Sequence, residues 1–191
     1  MPTTNNLRPF RDYDEHDVIN LFTWSSATTL PQNKGTFCTV SAGWSNAYAD
    51  SDLATSLHET ALLGDVGKAY SNSVSERYGV VAEFSLAVTG DARPLGMTLW
   101  DCSETDENGE KLIFNPRKAA EMQTAISGQA VPVATKGMFV YSGVAGTPSV
   151  GGAAYVGDGG MLSATSTGGV AVGKFLGAKD TQGNVLFKLE L

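Results

Sequence analysis

The closing stretch of the chain, residues 156–191, reads VGDGGMLSATSTGGVAVGKFLGAKDTQGNVLFKLEL. Its apolar runs are only a few residues long, and Gly-Gly, Gly-Asp and Asn-centred turns separate them. Glycine supplies the left-handed backbone that tight turns require, so this punctuation cuts the chain into strands too short for anything but hairpins. From Ala130 onward the pattern predicts strands at 131–134, 137–142, 152–156, 170–176 and 184–190. The expected fold is therefore mainly β, an antiparallel sandwich or barrel-like body with one or two short accessory helices and an N-terminal arm.

Upstream, GTFCTVSAGW (35–44) predicts a first strand with Phe37, Cys38 and Val40 buried. YGVVAEFSLAVTGD (78–91) predicts a strand ending in a Gly-Asp turn, and RPLGMTLWD (93–101) another. Between the first two, SDLATSLHETALL spaces Leu53, Leu57 and Ala61 as a helix does, with Ser51 or Asp52 at its start; the rest of 45–77 is a long polar loop. CSETDENGE (102–110) is an acidic turn leading into KLIF. NPRKAAEMQTAIS (115–127) predicts the best helix, with Asn115 as N-cap, Pro116 at the first position, Gly128 after the end, and Ala119, Met122 and Ile126 as its inner stripe. Three parts result: an arm over 1–33, a β-rich part over 34–128 and a glycine-rich β module over 129–191. KGTF (34–37) recurs as KGMF (136–139). The order apolar, Gly, strand, Asp turn with Gly, strand in 94–114 recurs in 171–189, so the last part reads as a possible degenerate repeat of the one before it.

Reactive groups are sparse. His16 and His58 are the only histidines, and neither belongs to a metal-spaced pair, so no metal or cofactor is expected. Cys38 and Cys102 lack a C-x-x-C spacing and are expected as buried reduced thiols. Asp101, Ser103, Thr105, Glu107 and Glu110 place oxygens at alternate positions, as a calcium loop does, but Asp106 stands where such a loop needs glycine; a solvated hairpin is expected. GDGG (157–160) lacks the lysine and helix of a phosphate loop and reads as a turn. No G-x-S-x-G elbow is present, so the expectation is a non-enzyme. A net charge of −7 leaves no basic footprint for nucleic acid or anionic lipid, and no apolar run approaches the roughly 18 residues of a membrane helix. MPTTNNLRPF is not patterned as a signal peptide, so synthesis in a cytosol is expected.

The arm is the feature an ordinary terminus explains least. Arg8-Pro9 is expected to be extended, and Asp12 or Asp14 to cap a short helix with Val18, Ile19, Leu21 and Phe22 on its apolar side. Phe10, Tyr13, Phe22 and Trp24 add aromatic rings that must bury against the chain's own body or a neighbour. Phe10, Tyr13, Val18, Ile19, Leu21, Phe22 and Trp24 are accordingly the candidate interface residues.

LRPFRDYDEHDVINLF resembles the N-terminal signature of small virion structural proteins of cyanophages and related tailed phages. GGVAVGKFLGAKDTQGNVLFKLEL is similar to the closing strands of glycine-rich capsid decoration (cement) proteins. The resemblance covers roughly 7–22 and 130–191. It implies a homotrimer made in the host cytoplasm and placed on the outer capsid surface of the virion, bound to the major capsid protein and locking neighbouring capsomers without catalysis. The competing expectation is a tail, fibre or glycan-binding β module using Trp24, Trp44 or Trp100; a cell-wall hydrolase built around His58 or Glu59 is a third.

Overall fold

The computed structural model describes residues 7–9, 17–25, 27–46, 80–166 and 168–191; Leu53, Leu57, Ala61, both histidines and Glu59 lie outside them. The fold is mainly β. In chain order the strands are β1 (Leu7–Pro9), β2 (Val18–Ile19), β3 (Thr23–Trp24), β4 (Phe37–Asn46), β5 (Val80–Leu86), β6 (Pro94–Thr98), β7 (Asp101–Ser103) and β8 (Thr124–Ile126). They continue with β9 (Val133–Ala134), β10 (Lys136–Tyr141), β11 (Val144–Ala145), β12 (Ala153–Val156), β13 (Leu162–Ser163), β14 (Ala171–Phe175) and β15 (Val185–Glu190). A single short helix, α1 (Pro116–Glu121), stands among the described residues, with 3-10 turns at Leu112–Phe114 and Asp158–Gly160.

A seven-stranded sheet runs β1-β10-β15-β14-β12-β13-β11 and a six-stranded sheet runs β2-β9-β6-β4-β5-β3. Both curl into half-barrels, giving the sandwich- or barrel-like body that the turn spacing predicts. The chain changes sheet between Ala134 and Lys136, and β1 joins the C-terminal strands by pairing with β10.

Alternation along the strands sets the layers. Phe37, Met97 and Ala134 of the six-stranded sheet meet Phe139, Tyr141, Phe175, Phe187 and Leu189 of the seven-stranded sheet in the main core. Their neighbours Cys38 and Val133 point the other way and pack with Phe22, Trp24, Phe84, Cys102 and Val131. The six-stranded sheet is thus covered on both faces, which is why β4 opens with two consecutive buried residues, Phe37 and Cys38. Gly160, at φ +68°, seats the Asp158–Gly160 turn on β4. A Cβ there would lie 2.8 Å from the Phe37 carbonyl oxygen and 2.8 Å from Thr36 Cγ2.

The Asp-Gly turn of the internal echo recurs in atomic detail. Asp106 Oδ1 accepts the Asn108 and Glu110 amides at 2.8 Å each, and Asp180 Oδ1 accepts the Gln182 and Asn184 amides at 2.8 Å each. Gly109 and Gly183 both take φ +82°, the left-handed conformation that closes such a turn. The flanks differ: β15 follows Asn184, whereas a 3-10 turn and α1 follow Glu110. KGTF and KGMF likewise both lead a buried phenylalanine into a strand, but β4 lies between β5 and β6 and β10 between β1 and β15.

Several local expectations are corrected. Val18 and Ile19 are a strand on β9 rather than part of a helix, because two β-branched residues gain a ladder partner that an isolated terminal helix would lack. The predicted helix over 115–127 stops at Glu121. Gln123 then takes φ 52°, and Thr124–Ile126 pairs parallel with Asp101–Ser103. Pro116 does occupy the first helical position, but the Asn115 side chain makes no cap bond. Ala119 and Ile126 are buried with Leu112, while Met122 lies outside that cluster. Val40 is exposed instead of buried. The strand expected over 93–101 ends at Thr98, and Asp101 begins a separate one. The two-residue strands β11 and β13 carry no alternation long enough to read.

Candidate docking surfaces

Phe10 and Tyr13 lie outside the described residues. The other five candidate interface residues are packed into the chain's own body. Val18 rests on the main core, and Ile19 and Leu21 rest on the second. Phe22 is 8% exposed and Trp24 4%. Strand β3 runs parallel to β5, with Trp24 opposite Phe84 and their rings edge-on at 4.4 Å. The Ser25 amide continues this ladder to the Phe84 carbonyl at 2.8 Å. These rings are therefore core members and not outward anchors: the second face of the six-stranded sheet needed a cover, and the aromatic segment supplies it. Burial also removes Trp24 from any glycan-stacking role, while Trp100 is exposed and the Trp44 side chain lies outside the described set.

Large apolar side chains reach solvent elsewhere. Phe114 is 78% exposed and Ile113 54%, side by side in the 3-10 turn that precedes α1. The internal echo of 94–114 in 171–189 implies a strand at KLIF. The signal against that was position, since two apolar residues wedged between a closed Asp-Gly turn and a helix-starting proline have no strand partner. A small module holds this prong. Leu112, Ala119 and Ile126 pack beneath it, and the Leu112 amide donates to the Glu104 carbonyl at 3.0 Å. Lys118 on α1 donates to the carboxylate of Asp106, whose side chain is buried, and lies 3.6 Å from Glu107. That Lys118 bond, joined by the Glu110 and Asn108 amides, holds the Asp106 carboxyl below the usual carboxylate range. The acidic turn is thus an internally satisfied clamp on α1. Glu104, Glu107 and Glu110 in the turn before the prong are exposed, as are Lys111 and Arg117 on either side of it in sequence.

A second apolar spot sits on the seam between the sheets. The Val88–Asp91 turn of the six-stranded sheet abuts residues 169–170 of the other. The Val170 amide donates to the Asp91 carbonyl at 3.4 Å, and a Cβ on Gly169 would meet that oxygen at 2.6 Å. Val88 and Val170 are 66% and 50% exposed.

The outer face of the seven-stranded sheet has a different character. Residues alternating with its core set are Lys136, Met138 and Val140 on β10, Leu186, Lys188 and Glu190 on β15, and Lys174 on β14. In register, Met138, Lys188 and Lys174 cross three strands at one level, Lys136 stands opposite Glu190, and Val140 opposite Leu186. This fits the chain's charge asymmetry. Residues 1–128 hold nine Lys/Arg against seventeen Asp/Glu, net −8, whereas 129–191 hold four against three, net +1.

Among the described residues no cluster of three or more His, Cys, Asp or Glu is placed to hold a metal ion, and no helix is long and apolar enough to cross a membrane. Cys38 and Cys102 are free and buried. The arrangement offers apolar and charged contact. Comparison of the chain with protein-family models, with curated proteins and with solved structures found no match.

Proposed function

We propose that this chain is a capsid decoration (cement) protein of a tailed phage, binding the major capsid protein on the outer surface of the virion and bridging capsomers without covalent chemistry. The observation that carries the reading is the Val88–Val170 seam, where two valines stay 66% and 50% exposed at a junction of the two sheets. It joins the sequence likeness of the closing strands to decoration proteins. Fully burying one valine contributes roughly 1.5–3 kcal/mol before ordering costs. A two-valine foot is thus weak alone and becomes durable when several copies are linked, because each later contact forms at high effective concentration.

The test is co-sedimentation of the full purified chain with shells assembled from the major capsid protein of the same phage. Binding is expected, and Val88→Asp with Val170→Asp should reduce it without changing the melting temperature. Absence of wild-type binding to such shells would overturn the assignment. Deleting residues 1–24 is no clean test, because it removes β1, β2 and β3 and with them part of both cores.

A further inference from the structure

We propose that the Ile113–Phe114 prong of one copy docks on the lysine-flanked outer face of β10, β15 and β14 of a second copy. The contact is heterologous, joining two different patches, and it does not depend on capsid binding.

Three observations carry it. First, Phe114 and Ile113 are 78% and 54% exposed on a module that is pinned from below by Leu112 and Ala119 and from the side by Lys118. A rigid, solvated aromatic tip contributes nothing to its own fold and loses little entropy on docking. Second, Lys174 stands directly opposite Lys188 on adjacent strands. Like charges in that position disfavour the sheet, and Glu190, 3.0 Å from Lys188, offsets only part of this. A face that is costly for the isolated sheet is relieved by an acidic visitor. Third, the two patches complement each other. Residues 104–121, which carry the prong, hold five Asp/Glu against three Lys/Arg. The outer face holds Lys136, Lys174 and Lys188 against Glu190, with half-buried Met138 opposite Lys188 and the half-buried pair Val140 and Leu186 at the next level. An apolar tip on a net-acidic segment thus meets an apolar strip beside a net-basic one, the kind of complementarity that sets register and suppresses wrong partners. Because the patches differ, a pair still has one prong and one sheet face free, so association continues to a closed ring or an open chain.

The experiment is sedimentation velocity of the full chain over a concentration series at low and high salt. Wild type should associate, more weakly as salt rises. Phe114→Asp should raise the dissociation constant by about 30-fold or more, as loss of a central aromatic anchor does. Lys174→Glu with Lys188→Glu should act in the same direction. Adding Glu104→Lys and Glu110→Lys to that lysine variant should restore association, which damage to the fold would not do. Mixing the Phe114→Asp chain with the lysine variant should yield discrete pairs, since each retains the patch the other lacks. A wild-type chain that stays monomeric throughout, association untouched by either variant, no restoration by the charge swap, or no pairing in the mixture would each overturn the proposal. Capsid binding through the Val88–Val170 seam would survive all four outcomes, so the two readings fail separately.

Discussion

Trp24 separates a core role from an adhesive one. The side chain is 4% exposed and lies edge-on to Phe84 at 4.4 Å. A buried tryptophan removes roughly 150–250 Å² from water. Truncation to alanine forfeits most of that area, and at ~25 cal/mol per Å² the loss is about 4 kcal/mol, within the ~3–5 kcal/mol seen for large aromatic truncations. Against a total stability of about 5–15 kcal/mol, Trp24→Ala should remove between about a quarter and most of it. Trp24→Phe should behave differently. The indole Nε1 is buried without a hydrogen-bond partner among the described residues, so the native ring carries a desolvation cost of about 1–3 kcal/mol that phenylalanine lacks. That gain offsets the smaller area lost, and the double-ring-to-single-ring change should fall within about 1 kcal/mol of wild type. Urea unfolding followed by far-ultraviolet circular dichroism measures both. A Trp24→Ala midpoint within about 1 kcal/mol of wild type would refute the assignment of this residue to the core, and with it the view that β3 seals the six-stranded sheet.

Two further outcomes follow from the same geometry. Asp106 has its folded-state value depressed, so the stability it contributes is complete above the ordinary carboxylate value of about 4 and fades as pH falls through the lower folded value. Asp106→Asn should therefore lower stability at neutral pH and flatten the acid limb of a stability-versus-pH profile below about pH 4; an unchanged acid limb would remove the Lys118 clamp from the account. Burial pushes the Cys102 thiol up to about 12, with Glu104 and Asp101 adding to it, and raises Cys38 further still. Neither should react with iodoacetamide in the native state and both should in denaturant, so rapid native-state labelling of either would contradict their place in the second core.

What the one-dimensional pattern determined is the β framework of the C-terminal part. The strands expected at 137–142, 152–156, 170–176 and 184–190 form at Lys136–Tyr141, Ala153–Val156, Ala171–Phe175 and Val185–Glu190, because turn residues at short spacing are a local signal that needs no distant partner. Tertiary structure alone decided three other matters. It sent Val18 and Ile19 into a strand and stopped the 115–127 helix at Glu121, since β9 and β7 offered ladder partners that local propensity does not know about. It turned the aromatic segment inward, because only the assembled six-stranded sheet presents a second bare face for Phe22 and Trp24 to cover. And it left Ile113 and Phe114 outside, since whether an apolar pair is buried depends on which surface arrives opposite it, and none of the chain's described residues does.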